Sequence, residues 1–138
     1  NPEPGKDGSI IIIIATDAPL LPHQLRRLCL RSAFGVTRTG TVSRTSSGDF
    51  ALAFSTAQKF NRNRKKAGEK RLLVVDRVET LEDDHLTSFF QAVIEATEEA
   101  VINAMFVSEA MTGRDNYHIP ALPIGRVLES LKMAGRIK

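Results

Sequence analysis

The stretch KDGSIIIIIATDAPLLPHQLRRL, residues 6–28, decides the fold. Its five consecutive isoleucines, Ile10 to Ile14, are β-branched and favour extended backbone, so a strand is expected over Ile10–Ala15. They do not alternate with polar residues, and both faces of the strand are therefore expected to be buried. Asp17-Ala18-Pro19 breaks the strand. Pro22 then suits the first turn of a helix reaching about Ala33. Within it Leu25, Leu28 and Cys29 recur at three- and four-residue spacing, and Arg26, Arg27 and Arg31 take other faces. Gly35 reads as its C-terminal stop. One hydroxyl residue, Ser9, stands between the irregular loop NPEPGKDG, residues 1–8, and this most apolar strand.

Further along, Thr37–Arg44 is threonine-rich and β-like, and Ser46-Ser47-Gly48-Asp49 has the composition of a turn. Phe50–Phe54 alternates large and small residues as a second strand does. The two segments predict a hairpin-like pair, with Ser47 and Asp49 near its bend or at the start of its second strand. After a basic loop, Gln58–Lys70, a strand is expected over Arg71–Asp76. Thr80-Leu81-Glu82-Asp83 reads as a capping box opening a helix that reaches about Thr112. Leu86, Phe89, Phe90, Val93, Ile94, Thr97, Val101, Ala104, Met105, Ser108 and Met111 form its apolar stripe, and Gly113 ends it. A final helix is expected from about Ile124 to Met133.

A chain of 138 residues, 42% hydrophobic and without tryptophan, suits one domain with a modest aliphatic core. No run approaches the roughly 20 apolar residues that span a bilayer, and no basic, apolar and cleavage-site succession marks a signal peptide. A chain with no membrane partner is expected, with the cytoplasm the favoured setting. The single cysteine, Cys29, forms no internal disulfide and reads as a small core residue rather than a nucleophile. The net charge of +3 is local in origin. Seven basic residues against Glu69 give +6 between Lys59 and Arg71, which leaves −3 for the rest.

Ser9 has two readings. It is a polar strand-start residue, or it is a nucleophile released by cutting the Gly8–Ser9 bond. In the second case the new α-amine, with a reference pKa of about 7.7–8.0, serves as base for the hydroxyl on the same residue. Gly8 suits the position before the cut because it has no Cβ to block attack. Ser47 and Asp49 are likewise either a Ser-Gly-Asp turn or a polar relay, in which Asp49 balances an ammonium and Ser47 passes hydrogen bonds to the nucleophile. His23, His85 and His118 are isolated and show no metal-ligand spacing, so neither metal nor cofactor is expected. Thr112-Gly113-Arg114-Asp115 reads as a helix stop with a local Arg114–Asp115 ion pair. The Lys59–Arg71 loop has the clustered cations of a phosphate-binding surface, but only Phe60 is interleaved for stacking. A solvated loop with no nucleic-acid partner is the expectation there.

Several blocks, Gly8–Leu25, Thr37–Gly40, Ser47–Phe50, Leu52–Ala57 and Glu109–Asp115, resemble the L-aminopeptidase/D-esterase and β-aminopeptidase family of self-processing serine N-terminal hydrolases. The resemblance implies an α+β fold, the αββα sandwich shared with the ornithine acetyltransferase type. It implies a precursor that cuts itself before Ser9, with residues 1–8 the tail of an α chain and residues 9–138 a β-chain portion completed by that separate α chain. It places the nucleophile at Ser9, a second active-site serine at Ser47 and a carboxylate at Asp49, where some members carry glutamate. It puts the asparagine oxyanion donor on the α chain. Small peptides, amides or esters are the implied substrates, and a homo-oligomer of αβ pairs the implied assembly. An acyltransferase of the same fold, which uses threonine as nucleophile, and a non-enzymatic module binding through residues 59–71 remain as alternatives.

Overall fold

The computed structural model describes residues 8–59 and 77–138. The basic loop beyond Lys59 and the strand expected over Arg71–Asp76 lie outside the described residues. The chain is α+β and divides into two compact units, residues 1–97 and 98–138.

The first unit begins with a strand–helix–strand segment. Strand β1, Ile11–Thr16, leads through helix α1, Pro22–Arg38, to strand β2, Phe50–Ser55. The strands pair parallel, Ile11 opposite Phe50 and Thr16 opposite Ser55. A parallel pair needs a crossover, and α1 is that crossover. The expected hairpin is therefore corrected. Thr37 and Arg38 close α1, and no strand forms over 39–44. Gly35 does not stop the helix either; it is buried inside it. A turn does form, at Thr45–Ser46, with the Ser47 N–H donating to the Arg44 carbonyl at 2.8 Å, but it leads into β2 and joins no second strand. The helix-stop glycine is a local signal, and the packing of α1 on the sheet overrides it.

At the start of α1, Pro22 occupies the first turn. Leu21 before it has no side-chain acceptor, so Gln24 reaches back and accepts the Leu21 N–H at 2.9 Å. Helix α2, Leu86–Val107, enters through a 3-10 turn at Asp83–His85. Thr80 makes no capping box: its hydroxyl turns to Gln24 Oε1 at 3.0 Å. Leu20, Leu28, Leu86 and Val93 are the buried centre, and Ile14, Ala18, Leu25, Leu81, Phe89 and Phe90 pack around it. Arg27 and Arg31 lie over the Phe90 ring at 5.0 and 4.4 Å from its centroid. Cys29 is half-buried.

Strand β1 departs from the expectation of two buried faces. Ile12, Ile14 and Thr16 are half-buried on the α1 side. Ile11 and Ile13 point the other way and are 73% and 65% exposed. Their partners Phe50 and Leu52, and Phe54 beyond, are exposed on the same face. Among the described residues nothing covers it.

In the second unit α2 ends at Val107, short of Thr112. Ser108 Oγ donates to the Met105 carbonyl at 2.9 Å, satisfying one of the acceptors that a helix end leaves open. Met111 and Thr112, which continue the helical spacing on paper, instead form strand β3. It pairs antiparallel with β4, His118–Ile119, across a turn holding an exposed Arg114–Asp115 ion pair of 3.3 Å. Helix α3 runs Ile124–Met133, with the bounds expected.

Candidate active site

Parallel pairing decides the geometry here. In a parallel pair the N-terminal ends of both strands lie side by side. The Phe50 N–H donates to the Ile10 carbonyl at 2.9 Å, extending the ladder one step upstream. The residues ahead of each strand consequently meet, although they are 39 positions apart in sequence.

Ser47 Oγ lies 2.9 Å from the Gly8 carbonyl oxygen and 2.7 Å from Asp49 Oδ1. A hydroxyl carries one proton, so Ser47 donates to one of these acceptors at a time. The Gly48 N–H donates to Ser9 Oγ at 3.0 Å. The Gly8 carbonyl and the Asp49 carboxylate are thus both within direct hydrogen-bond reach of the Ser47 hydroxyl, and the Ser9 hydroxyl oxygen beside them is held by the Gly48 N–H. Ser9 and Asp49 are exposed and Ser47 is half-buried. The cluster stands at the surface of this chain.

The Ser47 hydroxyl, 2.7 Å away, is the main cause that holds the Asp49 carboxyl below its ordinary range, against some desolvation. Asp49 is accordingly ionised at neutral pH. A cavity of about 380 Å³ adjoins this carboxylate, between α1 and the leading ends of both strands. Ile10, Ile12, Cys29, Ala33 and Ala51 give it an apolar wall, and Arg26, Ser43 and Asp49 are among its polar members. Desolvation raises the pKa of the Cys29 thiol.

All four residues singled out from the sequence, Gly8, Ser9, Ser47 and Asp49, come together. One other was missed. Gly48 belongs because its backbone N–H meets Ser9 Oγ, which becomes visible only once the register of the parallel pair is known. The histidines stand apart: His23 Nε2 is 4.0 Å from Asp83 Oδ1, His118 Nδ1 is 3.0 Å from Thr112 Oγ1, and His85 is exposed. Among the described residues no group of three or more His, Cys, Asp or Glu is placed to hold a metal ion. No helix among them is long and apolar enough to cross a membrane.

The chain is 44% identical over 131 residues to the β-peptidyl aminopeptidase BapA of Sphingosinicella microcystinivorans, across 95% of this chain and 31% of that protein. BapA of Sphingosinicella xenopeptidilytica is 39% identical over 131 residues, across 93% of this chain and 31% of the relative. Among solved structures, a β-aminopeptidase from Burkholderia sp. superposes with a TM-score of 0.77 at 36% identity, over 94% of this chain and 36% of that one. The L-aminopeptidase D-Ala-esterase/amidase of Ochrobactrum anthropi, described as a prototype serine aminopeptidase with a variant Ntn-hydrolase fold, superposes at 0.76 and 38% identity, over 94% of this chain and 35% of that one. The chain therefore spans about a third of the length of the proteins it matches. Peptidase family S58 matches residues 1–119, and the chain belongs to that family.

Proposed function

We propose that this chain carries the nucleophile of a self-processing serine aminopeptidase, with Ser9 as both the point of cleavage and the catalytic hydroxyl. The observation that carries the reading is the contact set around one peptide bond. The carbonyl of Gly8 accepts from Ser47, and Oγ of the next residue, Ser9, accepts from Gly48 N–H. Preorganised donors aimed at a carbonyl stabilise the negative charge that forms there during attack.

In the proposed scheme Ser9 Oγ attacks the Gly8 carbonyl carbon. The C–N bond breaks, the nitrogen takes a proton and becomes the Ser9 α-amine, and Gly8 is left as an ester on Oγ. Water opens that ester to a Gly8 carboxylate. Residues 1–8 then end an α chain, and residues 9–138 are the β-chain portion. In the mature enzyme the α-amine takes the Ser9 hydroxyl proton as Oγ attacks a substrate carbonyl, then delivers it to the leaving group. Water hydrolyses the acyl-enzyme. Asp49, ionised and joined through the Ser47 hydroxyl to the Gly8 carbonyl, lies close to the backbone that becomes the new terminus and balances its ammonium form. Ser47 connects the two.

Substrates in this reading are short peptides, amides or esters with a free N-terminus. The α chain of the same precursor supplies the oxyanion donor and much of the pocket, and αβ pairs assemble further. A reducing, cytoplasmic setting goes with the free Cys29. The relatives named β-peptidyl aminopeptidase support the substrate class, and the uncovered sheet face supports a partner layer.

The test is the intact mass of the denatured full-length protein, with N-terminal sequencing of its smaller piece. A piece beginning Ser9-Ile10-Ile11 is expected, and Ser9→Ala should remain whole and inactive. An uncut Ser9→Ala chain that still hydrolyses substrate overturns the mechanism.

A further inference from the structure

We propose that Gly48 determines which acyl groups the site accepts: it carries no side chain, so the flank of Ser9 Oγ toward the Phe50 ring stays open, and the acyl residue of the substrate lies there. The inference rests on the reading of Ser9 as nucleophile.

Two demands call for glycine in a folded chain, a left-handed backbone and a close approach that a side chain would block. Neither applies to Gly48 within this chain. Among the described glycines, positive φ belongs to Gly40 and Gly135. A Cβ at position 48 would lie 3.4 Å from Ser9 Oγ and 3.7 Å from Phe50 Cε2, and would meet nothing else within 4 Å among the described residues. These are ordinary contact distances, so the chain has room for an alanine there. What an alanine would remove is the open space itself.

That space lies against the reacting atom. The Gly48 N–H donates to Ser9 Oγ at 3.0 Å, which holds the backbone of residue 48 at a fixed separation from the nucleophile. A carbonyl carbon poised for attack stands about 3–3.5 Å from the attacking oxygen. A methyl group 3.4 Å from Oγ would occupy the same shell and compete with whatever the carbonyl carbon carries. On the far side of the gap the Phe50 side chain is 68% exposed and offers an apolar ring. The group that fits between backbone and ring is an amino-acyl residue with an apolar side chain. Self-cleavage makes the smallest demand on this space, because its acyl residue is Gly8. A Cβ on Gly8 would meet nothing within 4 Å among the described residues.

The experiment compares Gly48→Ala and Gly48→Val with the parent in the full-length protein. Both variants keep the N–H that meets Ser9. Release of the fragment starting at Ser9 is followed by mass. The constants kcat and KM are measured on the p-nitroanilides of alanine and leucine and of their β-amino homologues. Gly48→Ala should lower kcat/KM about tenfold or more on the leucine compounds, as a one-carbon misfit does in a close-fitting pocket. The loss should be smaller on the alanine compounds, and Gly48→Val should lose more on both. Fragment release should be slowed less than leucine turnover, since Gly8 brings no side chain. Release also reports folding, because Ser9 meets residue 48 only in the docked register. Equal losses on both acyl sizes, or no loss, overturn the inference. So does a Gly48→Ala chain that releases no fragment, because the added methyl would then be felt by an acyl residue without a side chain. A parent inactive on every anilide fails the functional reading and takes the inference with it, a result seen before any variant is made.

Discussion

Gln24 is 1% exposed, yet every hydrogen-bonding position of its amide is used. Oε1 accepts from the Leu21 N–H and the Thr80 hydroxyl, and Nε2 donates to the Leu81 carbonyl and the Asp83 carboxylate at 2.8 and 2.9 Å. This one side chain ties the start of α1 to the segment that leads into α2. Removing it strands a part-buried N–H and carbonyl together, and such orphans cost about 1–3 kcal/mol each. Gln24→Leu, which keeps the volume, is expected to lose about 2–4 kcal/mol in urea unfolding; a loss below about 1 would show that water replaces the amide. Asp83 carries a pH signature from the same contacts. The Gln24 amide first, and after it the Arg27 guanidinium and the neighbouring His23 ring, hold its carboxyl below the ordinary aspartate range against some desolvation. Its folded value is thus lower than its unfolded one. The stability it contributes is complete above the ordinary carboxylate range and is lost as pH falls through the lower folded value. Asp83→Asn should remove this part of the acid unfolding slope, and an unchanged slope would place the acid sensitivity elsewhere.

Strand β1 and helix α3 were legible in the sequence because their signals are local, although one face of β1 is left uncovered. A run of isoleucines has few alternatives to a strand, and the apolar spacing of Ile124–Met133 is undisturbed by turn residues. Other elements were misread where a local signal met a tertiary one. Gly35 carries the chemistry of a helix stop, but its missing side chain also suits a buried position inside α1. Ser46–Asp49 has turn composition, and a turn closes at Ser46, but it feeds a parallel strand rather than a hairpin. Met111 keeps the helical spacing of α2, yet it pairs with Ile119 across a short ladder. The site followed the same division. Its hydroxyls and carboxylate could be named from residue chemistry and from the family resemblance. Gly48 could not, since a backbone N–H is the same at every position.

Across the whole molecule, the face carrying Ile11, Ile13, Phe50, Leu52 and Phe54 is the feature that this chain leaves unresolved by its own means. Contiguous apolar surface of this kind marks an interaction site in a soluble protein. The proposed partner is the preceding part of the same precursor, which lays a second sheet on this face and completes the sandwich. In the full-length protein Ile13→Ala should then cost about 2–4 kcal/mol, as truncation of a buried isoleucine does. A cost under about 0.5 kcal/mol would mean that the face stays bare. The parallel register also has a consequence for timing. Ser9 meets Gly48 only after a stretch of 39 positions has closed on itself and β2 has docked beside β1. A nascent, misthreaded or unravelled chain has no such meeting. In the proposed scheme the cut before Ser9 thus works as a certificate of correct assembly, issued once and irreversibly by each molecule, and the uncut fraction of a preparation counts the chains that never passed inspection.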